Sequence, residues 1–161
     1  MKLSLLPINI VSLLITIILS QSPVSLSETE RCNPQDKQAL LNIKKAFNNA
    51  YHFASWRPDT DCCDWYIVMC DRHTNRIISL DIFAANLSGT IPDAVADLPS
   101  LKTLTFHKIT NLSGTIPVAL TKLTNLEMLT ISWTDISGAI PVGKYTQILP
   151  PIIKSKAISK I

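Results

Sequence analysis

The sequence lacks a basic central region. Its formal charge of +3 comes from the two ends, because residues 28–142 hold all 12 acidic residues against 10 Lys or Arg, which leaves −2 there. A basic nucleic-acid-binding domain is therefore excluded. A chain of 161 residues is also too short for a large multidomain enzyme. Its 47% content of apolar residues predicts one modest folded domain.

Long hydrophobic runs are missing everywhere except at the N-terminus. Lys2 precedes an apolar run from Leu3 to Leu19, and Ser25-Leu26-Ser27 has the small-x-small pattern of a cleavage site. At about 17 residues the run is short for a membrane anchor, so we predict a signal peptide over residues 1–27, cut near Ser27/Glu28. No later segment is long or apolar enough for a stable membrane span, and the mature protein is expected to be secreted.

Cysteine is scarce and confined to the first third of the mature chain, at Cys32, Cys62, Cys63 and Cys70. In an exported protein these residues predict disulfides. A bond between the neighbours Cys62 and Cys63 would form a strained ring, which leaves two pairings open: Cys32–Cys62 with Cys63–Cys70, or Cys32–Cys63 with Cys62–Cys70. A zinc site formed by Cys62, Cys63, Cys70 and His73 is less favoured, because the spacing lacks paired CxxC motifs.

The segment after the first cysteine predicts a helix near Pro34–Phe47. Asn33 is a capping residue before a proline at the first helical position. Three apolar residues follow at helical spacing: Leu40, Ile43 and Phe47. Trp56 and Trp65 flank the adjacent cysteines and are expected to pack together rather than to stack on a sugar. We assign residues 28–75 to an N-terminal cap.

The second half of the sequence is a repeat. Gly89, Gly114 and Gly138 are spaced 25 and 24 residues apart, and each is followed three residues later by a proline. Apolar residues recur before each glycine and are expected to point inward: Ile77, Leu80, Ile82, Leu101, Leu104, Phe106, Leu126, Leu129 and Ile131. This period is the signature of leucine-rich repeats, in which each coil adds one strand to a parallel sheet.

We therefore predict an α/β solenoid, a short right-handed leucine-rich-repeat superhelix of about three coils at residues 76–141, with a helical, disulfide-bonded N-terminal cap. Parallel strands are expected near Leu80–Phe83, Thr103–His107 and Met128–Ser132. In many such repeats an asparagine joins neighbouring coils. Here that position is assigned to Ala85, Thr110 and Thr134.

Residues 31–141 resemble the plant polygalacturonase-inhibiting proteins, which are extracellular leucine-rich-repeat proteins. The most specific strings are FHKITNL (residues 106–112) and ISWT (residues 131–134), with further likeness over residues 32–41 and 60–66. The resemblance implies that Cys32 pairs with Cys62 and Cys63 with Cys70. It also implies secretion to the cell wall and apoplast, and binding of fungal endo-polygalacturonases, whose pectin-cutting clefts these proteins obstruct. Pectin is a further ligand to consider.

Alternation along each strand predicts which side chains meet a partner. The candidate contact residues are Ser79, Asp81, Phe83, Thr103, Thr105, His107, Met128, Thr130, Ser132 and Trp133. No enzyme is predicted, because the three histidines have no carboxylate or nucleophile at a suggestive spacing and neither a phosphate loop nor a cofactor motif is present. Asn86 and Asn111 begin acceptor sequons on exposed turns and are predicted glycosylation sites.

The repeat pattern stops at Pro141, after which the expected apolar offsets hold Lys144, Gln147 and Pro150. We expect residues 142–161 to be a disordered, non-repeat tail of a C-terminally truncated chain. A basic membrane tether is the less favoured alternative. Two other functions stay open for the whole chain: an ectodomain that recognises a peptide or a receptor kinase, and a truncated product without activity.

Overall fold

The computed structural model describes residues 30–142, so the predicted signal peptide and the tail beyond residue 142 lie outside the described residues. Helix α1, Pro34–Ala46, agrees with the predicted helix. The backbone N–H groups of Gln35 and Asp36 donate to Asn33 Oδ1 at 3.0 and 3.4 Å, and Pro34 fills the first turn, where a backbone donor would have no partner in the helix.

Parallel strands form the main sheet, as predicted. Strand β2 (Ile77–Phe83) pairs in parallel with β4 (Thr103–Gly114), and β4 pairs in parallel with β5 (Met128–Ile136). The short β3 (Ser88–Gly89) pairs with the second half of β4. At the other edge, β1 (Val68–Cys70) runs antiparallel to β2 and belongs to the cap. The arrangement confirms a short leucine-rich-repeat solenoid with an N-terminal cap.

Each coil turns at the predicted glycine and then runs along the side opposite the sheet. Gly114 has φ +87°, and a Cβ there would lie 2.9 Å from Thr90 Cγ2, so both the backbone and the space require glycine. Pro92 and Pro117 then hold an extended backbone and start two short 3-10 helices, Asp93–Asp97 and Val118–Lys122. The inward residues between these two sides are all buried: Ile77, Leu80, Ile82, Leu101, Leu104, Phe106, Leu126, Leu129 and Ile131.

The structure corrects the position predicted for Thr110. Each coil has one residue with positive φ directly after the strand face, at Ala84 (49°), Lys108 (55°) and Trp133 (57°). The residue after Lys108 is therefore Ile109, which is fully buried and pairs with Thr134, whereas Thr110 is exposed. The second coil is one residue longer than the third, and its extra residue lies between Ile109 and Ser113. This place for the extra residue buries Ile109 and leaves Thr110 exposed, which is favourable because burying an isoleucine stabilises the fold more than burying a threonine hydroxyl.

Both disulfides pair as the resemblance implied, Cys32 with Cys62 and Cys63 with Cys70. Sulfur atoms of three of these residues lie within 4.8 Å of one another, but every one is bonded to another sulfur. The pairing therefore leaves no thiolate to support the zinc alternative.

The two tryptophans of the cap pack as predicted. Trp56 and Trp65 are buried and stacked, with ring centroids 5.7 Å apart. Each indole N–H has an acceptor, the Tyr66 carbonyl at 3.0 Å and Thr60 Oγ1 at 2.7 Å. These rings form the cap core and present no open platform to a sugar.

We expect the two disulfides to contribute unequally to stability. The bridge at Cys32 spans 30 residues and the bridge at Cys63 spans 7. Chain entropy then predicts that replacing the first pair by serine costs about 3.5 kcal/mol and replacing the second about 2.5 kcal/mol. Urea unfolding of the two secreted variants, followed by tryptophan fluorescence, measures the difference. Equal losses, or a larger loss from the shorter loop, would contradict the expectation.

A buried ion pair joins the cap to the first coil. The Asp36 carboxylate, on helix α1, is fully buried. It accepts hydrogen bonds from Arg76 Nε at 2.9 Å, from Arg76 Nη2 at 2.7 Å and from the backbone N–H of Ile77 at 3.0 Å. These donors lie at or just before the start of β2, so this side chain ties helix α1 to the sheet.

Candidate protein-binding face

The outward side chains of β2, β4 and β5 form the surface that we call the strand face. Since the three strands pair in constant register, these residues stand in three rows across the sheet. The rows are Ser79–Thr103–Met128, Asp81–Thr105–Thr130 and Phe83–His107–Ser132. The structure therefore brings nine of the ten predicted contact residues together, and Trp133 follows directly after the third row with an exposed ring.

Ser79 does not belong to the exposed part of this face. It is only 8% exposed, and its hydroxyl donates to Asp81 Oδ2 at 2.7 Å. The neighbouring strand β1 places Met69 opposite Ser79, and the methionine is 57% exposed. Met69 therefore takes the surface position that the sequence assigned to Ser79, because the antiparallel pairing with β1 covers the serine.

The third row is joined across neighbouring coils by side chains. His107 Nδ1 and Ser132 Oγ are 2.7 Å apart, which fixes the imidazole against the next strand. On its other side His107 is in register with Phe83, which is 43% exposed. Asp81 is the single carboxylate among the ten predicted contact residues. The face is therefore weakly charged, with apolar rings beside small hydroxyl groups.

Residues of the cap lie next to this face, and the repeat pattern could not predict them. Tyr66 is exposed, and its ring centroid lies 6.1 Å from Phe83 and 5.5 Å from His52. The alternation that identified the strand face starts only in the repeats. The position of Tyr66 depends instead on the path of the loop that the Cys63–Cys70 disulfide closes, for which the sequence carries no periodic signal.

The two predicted glycosylation sites are accessible. Asn86 and Asn111 are both exposed, and each lies just after the strand face of its coil. The attachment of sugar to them stays a prediction.

Stacked coils of 24 to 25 residues with one parallel strand each, behind a disulfide-bonded helical cap, define the class of leucine-rich-repeat proteins. The family model "Leucine rich repeat N-terminal domain" matches residues 33–71. Within the part of the chain that the structure describes, no helix combines the length and hydrophobicity needed to cross a membrane.

The resemblance to polygalacturonase inhibitors is confirmed by curated relatives. A polygalacturonase inhibitor of Vitis vinifera is 54% identical over 123 residues, which cover 76% of this chain and 36% of that protein. One of Pyrus communis is 57% identical over 91 residues, or 56% of this chain and 28% of that protein. Polygalacturonase inhibitor 1 of Arabidopsis thaliana is 53% identical over 105 residues, which cover 64% of this chain and 32% of that protein. The chain spans about a third of the length of these relatives, all of which are named as inhibitors.

Solved structures agree on the fold. A plant ice-binding protein is 49% identical, with a TM-score of 0.68 over 70% of this chain and 36% of that chain. The ectodomain of the Arabidopsis receptor kinase HAESA, solved with a peptide hormone, is 28% identical, with a TM-score of 0.58 over 66% of this chain and 18% of that chain. Both support a leucine-rich-repeat architecture.

Proposed function

We propose that this chain is an extracellular protein-binding module of the polygalacturonase-inhibitor type, which acts in plant defence at the cell wall. It binds fungal endo-polygalacturonases and obstructs their pectin-cutting clefts, and it is not itself an enzyme. The observation that carries the proposal is the 51–57% identity to four curated polygalacturonase inhibitors from three plant species.

The geometry of the strand face supports this function. Strand β4 is paired on both sides, so the outward residues stand on a rigid backbone rather than on a loop. Exposed apolar side chains at Phe83, Met128 and Trp133 are the kind of anchor that dominates protein interfaces. Threonine and serine hydroxyl groups between them supply hydrogen bonds at small entropic cost.

The size of the face argues for weak binding. The strand face has three parallel strands, and the curated relatives are about three times as long as the matched region. Interfaces well below about 1,200 Å² are typically transient. We therefore expect this chain to bind a polygalacturonase less tightly than its longer relatives do.

Inhibition of pectin hydrolysis tests the proposal. The full chain, secreted from a eukaryotic host, is titrated into a panel of fungal endo-polygalacturonases, with the Vitis relative as the positive control. We expect weak inhibition, with half-maximal effect at roughly micromolar or higher concentration. A folded, monodisperse sample that neither inhibits nor binds any enzyme of the panel would contradict the proposal and favour the product without activity. Pectin fragments, added alone, separate direct pectin binding from enzyme binding.

A second candidate function is ice binding, favoured by the 49% identity to a plant ice-binding protein of the same fold. Beside the strand face, hydroxyl groups repeat at the coil spacing. Ser113 Oγ and Ser137 Oγ make equivalent hydrogen bonds of 3.5 Å to the carbonyls of Gly89 and Gly114. Ice recrystallisation assays test this candidate. Activity that is lost on Ser137→Lys, while polygalacturonase inhibition is unchanged, would support it, and no effect on ice growth would exclude it.

The receptor-ectodomain alternative has weaker support. The receptor-kinase ectodomain is 28% identical to this chain, whereas the inhibitor relatives exceed 50%. We therefore do not propose a peptide hormone as the partner.

A further inference from the structure

An aromatic cluster joins the cap to the strand face. Its members are His52, on the 3-10 helix Tyr51–Phe53, Tyr66 in the cap, and Phe83 at the end of β2. The His52 ring stands edge-on to both partners, 5.5 Å from Tyr66 and 6.5 Å from Phe83, with interplanar angles of 72° and 85°. The Tyr66 and Phe83 centroids are 6.1 Å apart. Such edge-to-face contacts favour one fixed arrangement of the rings.

His52 packs against both other members of this cluster and is less exposed than they are. Its Nε2 atom is buried and has no hydrogen-bond partner among the described residues. A buried nitrogen without a hydrogen-bond partner is poorly solvated, so its surroundings favour the neutral imidazole over the charged one. Burial accordingly lowers the pKa of His52 below its ordinary value.

The groups around His52 carry no opposite charge. Phe53, from its own helix, and Phe83, from β2, contact the ring and do not titrate. The cap contributes Tyr66, whose ring contacts His52, and His107 lies beyond Phe83 in register. Desolvation is the single cause of the shifted pKa, so no described carboxylate compensates a proton on His52.

The outer side of the cluster is continuous with the strand face. Phe83 begins the third row, and Met69 stands beside the first row in place of Ser79. Tyr66 and Met69 are both about half exposed and uncharged. A partner that lies across the strand face therefore also meets these two half-exposed side chains at the cap end, with the Asp81 carboxylate between them on β2.

We propose that the partner-binding face extends onto the cap through Tyr66 and Met69, and that neutral His52 is the positioning residue that holds Phe83 and Tyr66 in place. The occupant is the same polygalacturonase that binds the strand face, which presents an uncharged, apolar patch to the cap. The inference rests on the proposed function for its partner, whereas the positioning role of His52 is a property of this chain alone.

The direction of the pH dependence at His52 follows from its lowered pKa. Because its pKa is lowered in the folded state, the arrangement is fully favoured above the ordinary histidine pKa of about 6.5. The advantage is lost as the pH falls through the lowered folded-state pKa, where a charged ring would stand in an apolar cluster. Acid therefore loosens Phe83 and Tyr66, and binding at the cap end weakens.

The positioning role is tested without a partner. NMR spectra of the Tyr66 and Phe83 rings are recorded from about pH 8 to about pH 4, on the wild type and on His52→Phe. We expect both ring signals of the wild type to shift in one titration with a midpoint below about 6.5, and the His52→Phe variant to lose that titration while keeping the high-pH ring positions. Wild-type ring signals that do not titrate with His52 would overturn the positioning role.

The extended face is tested with the partner. At neutral pH, Tyr66→Ala and Met69→Ala should each weaken polygalacturonase binding by about tenfold. Tyr51→Ala is the matched control, because Tyr51 is 92% exposed on the same 3-10 helix as His52 and lies outside the cluster; it should leave binding unchanged. If the wild type binds and the Tyr66 and Met69 variants bind equally well, the extension is wrong while the proposed function stands. If the wild type binds no polygalacturonase, the proposed function fails, and the NMR titration still decides the role of His52.

Discussion

Replacement of Asp36 by alanine is expected to destabilise the protein by about 3 kcal/mol, the lower end of the cost of breaking a buried ion pair, because the Arg76 side chain is 24% exposed. The variant leaves the Arg76 guanidinium without its carboxylate and the backbone N–H of Ile77 without an acceptor, in the place where the cap meets β2. A loss of this size is a large share of the stability of a small domain, about 5–15 kcal/mol. Urea unfolding of the secreted variant measures it.

Asp59→Ala is the matched control for this prediction. Asp59 also pairs with an arginine, Arg57, but both side chains are more than 60% exposed. An exposed pair contributes little because solvent screens it, so the control should keep a urea midpoint close to that of the wild type. Similar small losses for Asp36→Ala and Asp59→Ala would show that the buried pair does not hold the cap to the repeats.

Substitution of Phe83 and His107 together by aspartate is expected to abolish polygalacturonase binding. The two residues are adjacent in the third row of the strand face. Two carboxylates placed at the centre of a small interface would be buried without partners on binding, at a cost of several kcal/mol. Because the wild-type affinity is itself expected to be weak, this cost exceeds what the remaining contacts can offset. Pectin-hydrolysis assays with the full panel of enzymes measure the loss.

The control adds the same charge on the opposite side of the solenoid. Val118 and Thr124 are exposed and lie in or after the 3-10 helix that runs opposite the sheet. Val118→Asp with Thr124→Asp should leave binding unchanged. The comparison requires both double variants to be folded, so each must keep the urea midpoint of the wild type. Inhibition that survives the Phe83 and His107 substitutions would contradict the strand-face model.

Much of the candidate site follows from the alternation of side chains in the sequence. A strand exposes every second residue, so the positions of Thr105, His107 and Thr130 on one face needed only the strand positions. Ser79 was assigned to the exposed surface by the same rule, and the rule failed there because β1 pairs with the edge of β2. The rule also missed Tyr66 and Met69, because these residues belong to the cap and the repeat pattern does not extend there.

The sequence by itself determined the elements whose physical cause is local. Helix α1 needs Asn33, Pro34 and an apolar stripe within one segment, and the coils need apolar residues and a glycine at a fixed period. The interactions that tertiary structure decided join residues far apart in the chain. Asp36 meets Arg76 across 40 residues, and His52 meets Phe83 across 31. Such contacts depend on how the cap docks onto the first coil, which no local pattern encodes, because the partners lie in segments far apart in the sequence.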